Sequence, residues 1–107
     1  MLYKFKSKST GDLIMLEPNG RRVLEIIGKP AEPQGIVLPE QMDEALLALQ
    51  AAIDAAEAAR QTAVKEARLQ GEDPPPQEAV SLRTRLHPFM EMLRACKLSN
   101  NNITWGI

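Results

Sequence analysis

His87 is the one histidine of this 107-residue chain, and it stands directly before Pro88 with Glu91 four residues further on. A carboxylate at that helical spacing can tune an imidazole as an acid or base near neutral pH. Nucleophilic catalysis would need a partner such as Cys96. Nine helical residues separate the two by roughly 13 Å of rise, beyond hydrogen-bond reach. A lone base is weak evidence, and a surface or kink-capping role beside the proline is the better account of His87.

His87, Met90, Met92 and Cys96 also make a soft-donor set of the kind that suits Cu(I), a ligand or metal site near His87 and Met90. Met90 is a possible helical neighbour of His87, whereas Met92 points elsewhere and Cys96 falls on an apolar stripe. Methionines in such a helix commonly fill core gaps, and a lone cysteine behaves as a small buried hydrophobe. Arg21, Arg22, Arg83, Arg85 and Arg94 could form an anion or nucleic-acid patch, with Trp105 or Tyr3 for stacking. Arginines spread over two elements also suit a solvated face that pairs with acidic residues. Glu40, Asp43 and Glu44 could hold a hard cation, but stabilisation of a helix start explains them without one. Gly11, Gly20, Gly28 and Gly35 stand alone, with no phosphate-cradling loop, and no Cys/His spacing suits zinc. No catalytic set, metal site or cofactor is therefore expected, and the chain reads as a non-enzyme.

These side chains depend on a few elements. The first seven residues alternate, with Tyr3 and Phe5 on one face and Lys4 and Lys6 on the other, and predict a strand over 2–7. Thr10 as a cap and Asp12 in a first turn predict a helix whose stripe Leu13, Leu16, Val23, Leu24 and Ile27 runs to a stop at Gly28. Pro18-Asn19-Gly20 interrupts it, giving two short helices, or else a hairpin turn between 13–16 and 23–26. A second strand is predicted over 35–38 and a third over 103–105.

From Pro39 to Gln70 there is no glycine, no internal proline and ten alanines. Pro39 fits the first turn of a helix, and Met42, Leu46, Leu49 and Ile53 fall on one core-facing stripe. The stripe then thins to Ala56, Ala59, Ala63 and Ala67, which bury little area but permit close approach of another helix. Such a helix would reach roughly 45 Å, against a diameter of about 35 Å for a compact chain of this length. It outruns its own domain, so the alanine half is the candidate contact face for a second copy or a protein partner. Ser81 caps a last helix with Leu82, Leu86, Phe89, Leu93 and Cys96 on one stripe, with Pro88 inside it as a kink. The two long helices should pair as an antiparallel hairpin through Pro74-Pro75-Pro76.

Length suits a single domain spanning 1–107. Aromatic residues make up only 4%, which predicts a largely aliphatic core. Net charge is −1 but unevenly placed: residues 1–29 carry a net +3, residues 30–77 a net −6 and residues 78–107 a net +2. An acidic centre argues against a broad nucleic-acid face and suits self-association by charge complementarity. One cysteine, no export signal at Met1 to Lys6 and no apolar run of spanning length point to a soluble, cytoplasmic protein without a membrane partner.

The segments LYKFKSK, DLIML, VLEIIGK, MDEALLAL, VSLRTRLHPFMEML and ITWG occur in this order along nearly the whole chain. In them the sequence resembles the small bacterial family catalogued as domain of unknown function 1840. It departs from that pattern at Glu17-Pro18-Asn19-Gly20, where a smoother helix-compatible segment is usual. The resemblance implies a soluble bacterial protein and brings no activity, substrate or catalytic residue. The expectation is an α+β domain, with a small three-stranded sheet covered on one face by helices and a long helical hairpin. In function it is a non-enzymatic interaction module, homo-oligomeric or docking through a helix. The alternatives are a small-ligand or metal-responsive protein, and a weak nucleic-acid-binding regulator.

Overall fold

The computed structural model describes residues 2–76 and 80–106. It is an α+β arrangement in which β1 (Leu2–Lys6), β2 (Leu13–Leu16), β3 (Gly35–Val37) and β4 (Ile103–Trp105) form one antiparallel sheet in the order β2-β1-β4-β3. Its helices are α1 (Glu17–Ile26), α2 (Met42–Leu69) and α3 (Leu82–Ser99), with a 3₁₀ turn at Pro39–Gln41 leading into α2.

The alternation in β1 holds: Tyr3 and Phe5 are buried while Lys4 and Lys6 are exposed. The sheet, however, has four strands rather than three. Leu13–Leu16, read as helical from its stripe, pairs with β1 in the register Leu2↔Leu16 to Phe5↔Leu13. Asp12, expected in a helical first turn, instead lies across from Lys4 as an ion pair of 3.5 Å. The helix starts only at Glu17, with Pro18 in its first turn, where a proline loses no hydrogen bond and its fixed φ suits the helix. Pro18-Asn19-Gly20 is thus neither a break between helices nor a hairpin turn. Gly20 is helical and buried because α1 crosses β1 there: a Cβ on it would sit 2.3 Å from Cδ2 of Tyr3.

All three helices end alike. Gly28, Gly71 and Asn100 take positive φ, and the amide one residue later returns to a carbonyl five residues back: Lys29 to Leu24, Glu72 to Ala67 and Asn101 to Cys96, at 2.8–2.9 Å. This left-handed stop satisfies carbonyls that the helix leaves unpaired. At the other end of α3, the Ser81 hydroxyl accepts from the Thr84 amide at 3.2 Å, the cap that the sequence predicted.

The core holds the expected aliphatic residues Met42, Leu49, Ile53, Leu86 and Leu93, all buried, with Leu46 half-buried against them. At its centre it is aromatic. Phe5 meets Phe89 edge-on at 4.9 Å and Trp105 at 5.8 Å, and stacks on Tyr3 at 6.2 Å. The few rings of the chain are thus all spent in one cluster, where such pairs add to their area burial. Their polar ends reach the proline-bounded loop: Trp105 Nε1 donates to the Glu32 carbonyl at 3.0 Å, and the Tyr3 hydroxyl to that of Ala31 at 3.4 Å.

α2 and α3 run antiparallel, since Arg83 at the start of α3 pairs with Glu57 and Lys97 near its end pairs with Asp43. Residues 58–69 of α2 therefore extend past the start of α3. The molecule measures 53 × 28 × 22 Å with a radius of gyration of 16.1 Å, against about 13 Å for a compact chain of this size. After Gly71 the chain turns back along that overhang, and Arg60 donates to the Pro75 carbonyl. The connection from Pro74-Pro75-Pro76 continues through 77–79, which lie outside the described residues.

Candidate functional site

Helical phase separates the residues of the proposed soft-metal set. His87 is exposed on α3, whereas Met90, Met92 and Cys96 are buried in the core. Both methionines belong to the main core cluster. Glu91, the expected tuner of His87, is engaged by Arg94. Cys96 is buried beside two hydroxyls of the β1–β2 loop, donating to Ser7 Oγ at 3.1 Å and accepting from Ser9 Oγ at 3.5 Å. Among the described residues no group of three His, Cys, Asp or Glu side chains is arranged to hold a metal ion. In the acidic trio, Asp43 pairs with Lys97 from α3, so part of its charge serves the helical hairpin.

The stacking aromatics of the nucleic-acid reading are inaccessible, with Tyr3 and Trp105 both buried. The arginines divide. Arg21 pairs with Glu17 at 2.6 Å and Arg94 with Glu91. The hydrogen bond to Glu17, and then its charge, hold the Arg21 guanidinium above its ordinary pKa. Arg83 is held up in the same way by Glu57, whose Oε1 lies 2.6 Å from Nη2.

Arg22, Arg83 and Arg85 are brought together, and Arg60 joins them around a cavity of about 590 Å³ between α1, α2 and the start of α3. Ile53, Ala56 and Leu82 supply its apolar wall. Arg60 escaped notice as a site residue, although the signal was present. It occupies a position on the stripe Leu49, Ile53, Ala56, Arg60, Ala63, where a guanidinium interrupts an otherwise apolar face.

The alanine stripe is divided along its length. Ala56 and Ala59 are exposed, Ala63 is half-buried and Ala67 is buried outside the main core cluster. Arg60, Val64 and Ala67 lie at i, i+4 and i+7, on the side along which the returning segment runs. The far end of the overhang is thus partly covered by its own chain.

A larger unpartnered surface is the outer face of the sheet. Leu2, Ile14 and Leu16 are 56%, 57% and 64% exposed, with Ile36 further along. Leu2 and Leu16 are cross-strand partners, and Ile14 faces Lys4. Neighbouring large side chains this open on one face are unusual for a sheet whose other side is packed, and exposed apolar patches mark contact sites. On the outer stripe of α2, Leu47 is 72% exposed between Glu40, Glu44 and Asp54, which are exposed as well.

The chain belongs to the family described as domain of unknown function DUF1840, whose model matches residues 1–105. No curated protein and no solved structure matches it. No described helix is long and apolar enough to cross a membrane.

Proposed function

We propose that this DUF1840 chain is a non-enzymatic interaction module that assembles with copies of itself. The open face of the sheet on one copy docks on the outer face of α2 on the next. The observation that carries this is the exposed apolar face of Leu2, Ile14 and Leu16 beside Lys4 and Lys6. Two such faces together would set lysines against lysines, a repulsive arrangement. The acidic stripe around Leu47, with Glu40, Glu44 and Asp54, offers the opposite charge and its own exposed leucine. The dispersal of His87, Glu91 and Cys96 over exposed and buried sites supports the non-enzymatic part of the reading.

Because donor and acceptor surfaces differ, the contact is heterologous and builds a ring or a chain. Full burial of a leucine or isoleucine contributes about 1.5–3 kcal/mol, and part of each exposed side chain is already covered, so a few of them give only several kcal/mol. Association costs on the order of 4–15 kcal/mol, which makes the assembly concentration dependent.

Light scattering over a concentration series tests it with Leu16→Glu and Leu47→Lys, both at exposed positions. Wild type should rise above the 11.9 kDa of one chain, and each variant alone should stay at that mass. Mixing the two variants restores one intact sheet face and one intact helix face, so a one-to-one dimer and nothing larger should form. A wild type that stays monomeric throughout would sink the proposal. A mixture that fails to associate would replace the heterologous contact by a symmetric one.

A further inference from the structure

We infer that the cavity between α1, α2 and the start of α3 is a binding site for a small phosphate monoester with an apolar body. Its volume of about 590 Å³ falls inside the roughly 300–1,000 Å³ typical of small-molecule sites. Among the described residues, Arg22, Arg60, Arg83 and Arg85 line it together with the carboxylate of Glu57. That carboxylate is held by Arg83 through contacts of 2.6–3.4 Å. Of the other guanidiniums, those of Arg22 and Arg60 form no ion pair among the described residues.

Two further features add to it. Arg22 makes no hydrogen bond or ion pair among the described residues, and Arg60 uses one Nη to hold the Pro75 carbonyl, which leaves most of its five donors available. Ser81, the cap of the 18-residue α3, also lines the cavity, so the positive end of the helix opens toward it. Arginine forks match phosphate oxygens in pairs, and the open donors of Arg22 and Arg60 favour an anion over a neutral ligand. The wall of Ile53, Ala56 and Leu82 sets the rest of the ligand's chemistry. Inorganic phosphate would leave that wall in water, whereas an ester with a ring or short alkyl group covers it.

The test is a protein-observed NMR titration with phenyl phosphate, compared with inorganic phosphate and with benzyl alcohol. Phenyl phosphate should shift amides in 53–61 and 81–85 and bind at least tenfold more tightly than either half-ligand, and its affinity should fall as salt rises. Arg22→Gln should weaken it about tenfold, because a charged hydrogen bond lost to a phosphate is of that order. Arg60→Gln should do the same. Ala56→Phe, at an exposed lining position, should fill the apolar wall and abolish binding while the thermal midpoint shows the variant folded.

Benzyl alcohol or inorganic phosphate binding as tightly as the ester would overturn the proposal. So would shifts confined to the open sheet face, or unchanged binding by folded Ala56→Phe. None of these readouts depends on self-association, since Leu16→Glu can serve as the monomeric background.

Discussion

Replacing Gly20 by alanine is expected to destabilise the protein, against the usual rule for helices. In a helix interior alanine is favoured over glycine by about 1 kcal/mol. Gly20 lies inside α1, but a Cβ there would meet Cδ2, Cγ and Cβ of Tyr3 at 2.3, 2.6 and 2.8 Å. Carbon atoms pack at about 3.5–4.0 Å, so the helix and strand must separate by more than an ångström, or the ring must leave. The ring is fixed: it is buried, stacked on Phe5 at 6.2 Å, and its hydroxyl reaches the Ala31 carbonyl. Since Cβ of Tyr3 is itself in the way, a rotamer change gives no relief.

Overpacking of this kind costs about 1–3 kcal/mol, and a clash with three atoms belongs at the upper end. Subtracting the propensity gain leaves a loss of about 2 kcal/mol, or about 8–16 °C in Tm for a domain of this size. The assay is a thermal or urea melt followed by the fluorescence of Trp105, which is buried at 2% exposure and is the single tryptophan. Gly11→Ala is the control, because a Cβ there meets nothing within 4 Å and its φ is not positive. It should stabilise by about 0.4–1 kcal/mol through the unfolded chain. If Gly20→Ala raised Tm as Gly11→Ala does, the close approach of α1 to β1 would be refuted.

Two leucines on α2 should behave in opposite ways. Leu49→Ala, at a fully buried position, should cost about 2–5 kcal/mol in a urea titration, whereas Leu47→Ala, largely exposed, should stay within about 0.5 kcal/mol when measured at monomeric concentration. Ser81→Ala removes the acceptor for the Thr84 amide and should lower stability by about 1 kcal/mol. The first turn of α3 should then show faster hydrogen exchange, and unchanged protection there would mean that the cap contributes nothing.

Signals that act within one turn of chain were legible in the sequence. Ser81 as a cap, Gly28 as a stop, and Met42, Leu49 and Ile53 as a buried stripe depend only on nearby residues. The four apolar residues from Leu13 to Leu16 fit a helix or a strand equally by periodicity. What decides is β1, which offers them a hairpin partner in register, and that is a tertiary fact. Asp12 misled for the same reason, because the charge it answers is Lys4 on the next strand rather than a helix dipole.

The candidate site was legible only in pieces. Arg22, Arg83 and Arg85 were visible as a basic set, but Arg60 converges on them only once α2 and α3 pair with Arg83 beside Glu57. The open sheet face could not be seen, because Leu2, Ile14 and Leu16 look like core residues until it is known which side of the sheet the helices cover.

The order β2-β1-β4-β3 also governs how the chain comes into being. The two middle strands join Phe5 to Trp105 and Lys6 to Thr104, so nearly the whole described chain lies between partners at the heart of the sheet. Synthesis delivers domains from the N-terminus, and here the β1–β2 hairpin emerges first, with Tyr3, Phe5 and Met15 uncovered and one edge of β1 unpaired. α1 follows at once and covers Tyr3, but the β4-facing edge of β1 stays unpaired until Ile103–Trp105 clears the ribosome, and closure over so long a loop is slow. Nascent chains of this protein should thus be clients for protection during translation, and any product that terminates short of β4 should be aggregation-prone.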